Sequence, residues 1–132
     1  MQLSQFVGRL VDNIDFFVMK YYDVAAGDYT TVNNTFYEAT IYKGTSVQEL
    51  MRMGVRGNML VVGKPSSVQD TWNPQTFIDG ATLADSMTSL YSKAGWYAGY
   101  ACNDLSNDFS GAFLQTVTKG LITLCDDSAL CM

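Results

Sequence analysis

Three apolar runs, each ending in a polar loop, constrain this chain more than any other feature. They are Ile14 to Tyr22 (IDFFVMKYY), Met59 to Gly63 (MLVVG) and Trp96 to Cys102 (WYAGYAC). Their spacing of roughly forty residues leaves room for a helical return between successive strands, which is what a parallel sheet built from right-handed crossovers requires. In such a sheet the polar groups collect at the carboxyl ends of the strands. The first run is nearly continuous in apolar character, as a strand buried on both faces should be.

Helical signals fill the gaps between these runs. Leu3, Phe6, Val7, Leu10 and Val11 fall at helical spacing at the start of the chain. Ser46-Val-Gln-Glu49 matches a capping box and opens a short helix with Val47, Leu50 and Met51 on one face, stopping at Gly54. After Met59–Gly63, Pro65 ends the strand and the chain enters a loop over Ser66 to Asn73. Asn73-Pro74 reads as a cap and first turn, followed by the stripe Leu83, Ala84, Met87, Leu90 and Tyr91 up to Gly95. Asp108 is placed to cap a final helix carrying Phe109, Ala112, Phe113, Val117, Leu121 and Leu124. The predicted order is therefore α, β, α, β, α, β, α, an α/β domain of consecutive β/α units over residues 1–132, with residues 125–132 as a C-terminal tail. The polar stretch from Val24 to Gly44 is too long for an ordinary connection and is read as a functional loop or a small hairpin. It contains Asn33-Asn34-Thr35, an N-glycosylation triplet.

Composition excludes several function classes. A chain of 132 residues that is 48% hydrophobic and 16% charged can bury a real core. Its net charge of -5, with eight unclustered Lys and Arg residues, argues against nucleic acid and anionic membranes as partners. No run reaches the length of a membrane span, and Gln2, Ser4, Gln5 and Arg9 interrupt the start where a signal peptide needs an apolar stretch. With no histidine, and three cysteines without Cys-x-x-Cys spacing, neither a metal site nor a His-dependent nucleophile is expected. Cys125 and Cys131 flank a short terminal loop that a disulfide can close only under oxidising conditions, and Cys102 reads as a small buried hydrophobe. No phosphate-cradling glycine motif is present, and no cofactor is expected.

The strand ends carry the candidate chemistry. Tyr22-Asp23 ends the first strand, Gly63-Lys64-Pro65 ends the second, and Gly99-Tyr-Ala-Cys-Asn-Asp-Leu-Ser-Asn-Asp-Phe109 spans the end of the third. In order and spacing these segments resemble the sixth, seventh and eighth strands of the family-18 glycoside hydrolases, the chitinase-like TIM barrels. That resemblance implies the last three strands of a (β/α) barrel, with Tyr22 and Asp23 at the positions that contact the N-acetyl group of the sugar. It also implies a chitin-like or other N-acetylglucosamine polymer as ligand and an extracellular or secretory setting. Around that pair, Tyr29, Trp72, Asn103 and Asp104 or Asp108 are candidate sugar contacts, Trp72 as a stacking platform. Each has a plainer structural reading. Tyr22 can be core packing, Trp72 can cover its loop, and Asp108 can be a cap. Asp23 is the strongest functional candidate, because a carboxylate at the end of a buried strand is costly unless it is used or paired.

The family's catalytic signature, Asp-x-x-Asp-x-Asp-x-Glu, is absent from this chain. Cys102 or Asn103 stands where the family's eighth-strand Trp would lie, and Lys20 where Met or Gln is usual. Without the signature's general acid the remaining carboxylates do not amount to a hydrolase. The expectation is a fragment of such an enzyme or a non-catalytic relative. The alternative is a small α/β interaction or assembly subunit with no sugar role, pairing with another chain or with itself through an exposed sheet edge.

Overall fold

The computed structural model describes residues 13–25 and 27–127, with residues 121–127 as backbone alone. The helix expected at Leu3–Val11 and the cysteine pair at 125 and 131 lie outside the described side chains. Three strands form one sheet: β1 (Phe17–Lys20), β2 (Leu60–Pro65) and β3 (Tyr100–Asn103), in the order β1-β2-β3 and parallel throughout. The register sets Phe17 beside Leu60, Val62 between Met19 and Tyr100, and Lys64 beside Cys102. The three parallel strands therefore overlap the three apolar runs: β1 lies inside its run, while β2 and β3 run past the ends of theirs. β2 extends past Gly63 to Pro65, where the missing N–H stops the ladder.

Among the described residues three α-helices complete the frame: α1 (Val47–Arg52), α2 (Gly80–Ala94) and α3 (Ala112–Asp127). At α1 the capping box forms as the sequence predicts: Ser46 N–H donates to the Glu49 carboxylate at 3.0 Å, and Glu49 N–H donates to Ser46 Oγ. α2 begins later than the Asn73-Pro74 signal suggests. Asn73 and Pro74 make only a single tight turn, and Asp79 is the true cap, accepting from Thr82 N–H at 2.9 Å. Gly95 closes α2 in the left-handed conformation at φ 67°. Asp108 caps α3, accepting from Phe113 N–H at 2.7 Å and Leu114 N–H at 3.2 Å. Phe109, expected on the apolar face of that helix, instead precedes it and is 76% exposed. α3 continues through Asp127, into the segment read as a tail.

The core lies on one face of the sheet. Leu60 and Val62 are buried in one cluster with Leu83, Met87 and Leu90 of α2, and with Phe36 and Trp96. Phe36, Trp96 and Tyr100 meet edge to face, Trp96 at 5.0 Å and 5.3 Å from the other two rings. The Trp96 indole N–H donates to Leu60 O at 2.6 Å, so this buried Trp is fully satisfied. α2 and α3 pack closely where Gly120 meets Ala84; a Cβ on Gly120 would come within 2.9 Å of Ala84 Cα.

The opposite face corrects one expectation. β1 is not buried on both sides: its residues alternate between half-buried and exposed, and Val18 is 54% exposed, with the preceding Phe16 at 58%. Because β1 pairs only with β2 among the described residues, its apolar continuity reflects an uncovered edge and not a central strand. The 24–44 segment holds no hairpin. It folds around Asp28, whose carboxylate accepts from the N–H groups of Thr40, Ile41 and Tyr42 at 2.7–2.8 Å and from Thr40 Oγ1 at 2.5 Å, with one π-type turn at Asn33–Tyr37. No helix among the described residues is long and apolar enough to cross a membrane.

Candidate functional site at the strand ends

The carboxyl ends of β1, β2 and β3 share one rim, since all three strands run the same way. Tyr22 follows β1 and leans across β2 above Gly63, whose absent side chain makes room for it. A Cβ there would sit 2.8 Å from Met19 O and 3.4 Å from the Tyr22 ring. The Tyr22 hydroxyl reaches the end of β3 and donates to Asn103 Oδ1 at 3.2 Å. Asn103 Nδ2 then donates to Asp70 O at 2.6 Å, tying the third strand to the loop after the second. Asp70 is 7% exposed and accepts from Ser66 Oγ at 2.6 Å and from the Asn107 amide. One polar chain, Tyr22–Asn103–Asp70 with Ser66 and Asn107, thus spans all three strand ends.

Asp23 is held differently. It sits at φ 57°, in the left-handed region that Asp tolerates better than most residues. Its Oδ1 accepts from Thr71 Oγ1 at 2.7 Å and Trp72 N–H at 2.9 Å, and Lys20 Nζ lies 3.7 Å from Oδ2. Burial works to raise its pKa, but the bonds from Thr71 and Trp72 and the Lys20 charge outweigh it and hold the carboxyl below the ordinary 3.8. Both oxygens are engaged, so Asp23 orders the Thr71–Trp72 loop rather than offering a free acceptor. That loop presents Trp72 with 64% of its surface exposed. Asp104, also at φ 57°, accepts from Ser106 N–H at 3.0 Å and Ser106 Oγ at 2.6 Å, and these bonds lower its pKa. It turns the chain out of β3 and is solvent-exposed.

Tyr29 does not belong to this rim. It is 5% exposed, its ring packs 4.7 Å from Tyr21, and its hydroxyl is bonded to Thr45 Oγ1. The aromatic content of its neighbourhood draws it into the core, out of reach of any ligand on the strand ends. Cys102 is half-buried against the core, and burial, with Asp108 and Asp70 nearby, pushes its thiol up to about 11, leaving it unreactive at neutral pH.

The residue that sequence reasoning overlooked is Lys64. It is fully buried at the end of the central strand, with no carboxylate within ion-pair distance among the described residues. Its ammonium donates to three carbonyls: Tyr29 O at 2.6 Å, Tyr21 O at 3.1 Å and Thr76 O at 3.1 Å. Burial pulls its pKa from 10.5 down to about 7. Lys64 therefore pins three separate segments beneath the rim: the end of β1, the Asp28 loop and the turn before α2. A lysine directly after an apolar strand run was the available signal, since lysine is almost never fully buried unless its charge is met. Asp70, Ser66 and Asn107 were also missed, being ordinary loop polar residues by sequence.

Chemically, the rim combines an amide, a phenol and an exposed indole, the set that recognises a hydroxyl- and amide-bearing ring by stacking and hydrogen bonding. Asp23 and Asp104 are held ionised at neutral pH by the hydrogen bonds they accept. Among the described residues no group of three or more His, Cys, Asp or Glu side chains is arranged to hold a metal ion. No protein-family model matches the chain, no curated protein matches it, and no solved structure matches it.

Proposed function

We propose that this chain contributes a carbohydrate-binding surface of the chitinase-like kind, contacting N-acetylglucosamine polymers without hydrolysing them on its own. The observation that carries this reading is the Tyr22–Asn103 hydrogen bond across Gly63, which brings the first and third strand ends into one polar surface. The neighbour order β1-β2-β3, with every strand parallel, further favours a segment of a (β/α) barrel, in which consecutive strands lie side by side. In this reading Tyr22 and Asn103 meet the acetamido and hydroxyl groups, Trp72 stacks on a sugar face, and Asp23 holds the Trp72 loop in place. Catalysis would require a general acid from further β/α units, whether in the same polypeptide or in another.

Isothermal titration with chitotetraose tests the proposal. Binding is expected, with Asp23→Ala raising Kd by on the order of tenfold, since the loss of a charge-assisted pair of loop contacts is worth about 1.5 kcal/mol. An absence of heat at millimolar ligand removes the sugar reading. A second reading, an assembly subunit with no sugar role, draws on the exposed Phe16 and Val18 beside the free edge of β1. It predicts self-association without any response to oligosaccharide.

A further inference from the structure

Asn33-Asn34-Thr35 is an Asn-x-Thr triplet, and nothing at the strand-end rim uses it. Its two outer residues are placed in opposite ways. Asn33 is exposed, at the first residue of the π-type turn. Thr35 is fully buried, and its hydroxyl oxygen has no hydrogen-bond partner. Its N–H donates to Thr31 O at 3.1 Å, so the fold employs the backbone of Thr35 and the space its side chain fills, but not its hydroxyl. An unsatisfied buried hydroxyl costs about 1–3 kcal/mol, and valine has the same shape without that cost. The middle residue, Asn34, behaves as structural asparagines do: its Oδ1 accepts from Thr31 N–H at 2.9 Å and its Nδ2 donates to Gly27 O at 3.2 Å. The hydroxyl at the third position is a requirement of the N-glycosylation triplet and not of this fold.

We propose that Asn33 is an N-glycosylation site, with the Thr35 hydroxyl present for the glycosyl transfer and not for stability. In the transfer, Asn33 Nδ2 attacks the anomeric carbon of a lipid-diphosphate-linked oligosaccharide. A C–N bond forms and the C–O bond to phosphate breaks. The lipid diphosphate leaves with the electron pair, the amide gives up one proton, and no redox change occurs. Transfer takes place on the unfolded chain, so the later burial of Thr35 is no obstacle, whereas the folded protein must leave Asn33 outside, as it does. Asn33 also lines a cleft of about 500 Å³ with Thr30, Thr31, Phe77, Ile78 and Thr82. The cleft joins hydroxyls to apolar surface, a bed on which the first N-acetylglucosamine of the glycan can lie.

The test is secretion of the full chain from insect cells behind a cleavable leader and a short tag bearing its own control triplet. The expected result is a glycan at both positions by intact mass, with peptide-N-glycosidase converting Asn33 to Asp. Thr35→Ser keeps the glycan on Asn33, while Asn33→Gln and Thr35→Val lose it. Thr35→Val, compared with the unglycosylated chain made in bacteria, melts at the same or a higher temperature. Modification of the tag with Asn33 left bare overturns the proposal, as does a glycan that persists in Thr35→Val. A fall in the melting temperature of Thr35→Val also overturns it, by showing that the fold needs the hydroxyl.

Discussion

Lys64 concentrates the energetics of the site in one side chain. Its ammonium meets three carbonyls of Tyr21, Tyr29 and Thr76 that would otherwise lose a buried partner. Lys64→Met keeps the apolar stem and removes the donors, so unfolding in urea at pH 7 should show a loss of at least about 2 kcal/mol, since each unsatisfied buried acceptor costs about 1–3 kcal/mol. The pH dependence has a definite sign. The folded pKa is about 7 and the unfolded value 10.5, so between these limits the unfolded chain holds a proton that the folded chain has released. Stability therefore rises with pH across that window, by no more than about 1.4 kcal/mol per pH unit. Urea midpoints at pH 7 and pH 9.5 check this, and Lys64→Met should flatten the rise. Asp23 acts in the same sense in a more acidic window. Its lowered pKa contributes stability above the ordinary 3.8 that is lost as pH falls through the folded value. At this scale the sequence is partly readable. The Asp108 cap follows from one residue's preference for a helix start, whereas the burial of Lys64 depends on carbonyls drawn from positions 21, 29 and 76 and has no local signature.

The elements themselves were largely legible where local chemistry dictates them. The capping box at Ser46 and Glu49, the left-handed Gly95 and the proline at the end of β2 are each fixed by neighbours a few residues away. The start of α2 was misread because Asn73-Pro74 is a sound cap that here serves a single turn, while Asp79 starts the helix proper. The 24–44 segment was illegible for a different reason. Its shape is set by one buried carboxylate, Asp28, gathering backbone donors from residues 40–42. Likewise, an apolar strand at a sheet edge and one at its centre have the same composition, so the exposure of Val18 leaves no mark in the sequence. Gly63 is a point where β1 and β2 meet closely. Gly63→Ala should push against Met19 O, lower stability by about 1–3 kcal/mol, and displace the Tyr22 ring. Thermal melting tests the first effect, and the Tyr22 ring shifts in an NMR spectrum test the second.

At the scale of the whole molecule the central strand is buried along nearly all its length, while the outward face of β1 is exposed. Val62 and Lys64 are fully buried, while Phe16 and Val18 stand more than half exposed beside an edge of β1 that pairs with no other strand among the described residues. Exposed apolar surface next to a free parallel edge invites another chain. Val18→Glu is expected to shift sedimentation toward the monomer with little change in melting temperature, because Val18 contributes little to the core. The strand-end rim does not depend on how that face is covered, since Tyr22, Asn103 and Asp70 are already joined within this chain. Its capacity to hold a sugar is therefore the claim to test first. The most direct measurement is titration of the labelled protein with chitotetraose, followed by NMR at the Asn103 side-chain amide and the Trp72 indole. The account predicts that both signals shift and saturate together, and that Tyr22→Phe and Asn103→Ala weaken the response. Signals that stay fixed at millimolar ligand, or shifts confined to residues away from the strand ends, would contradict it.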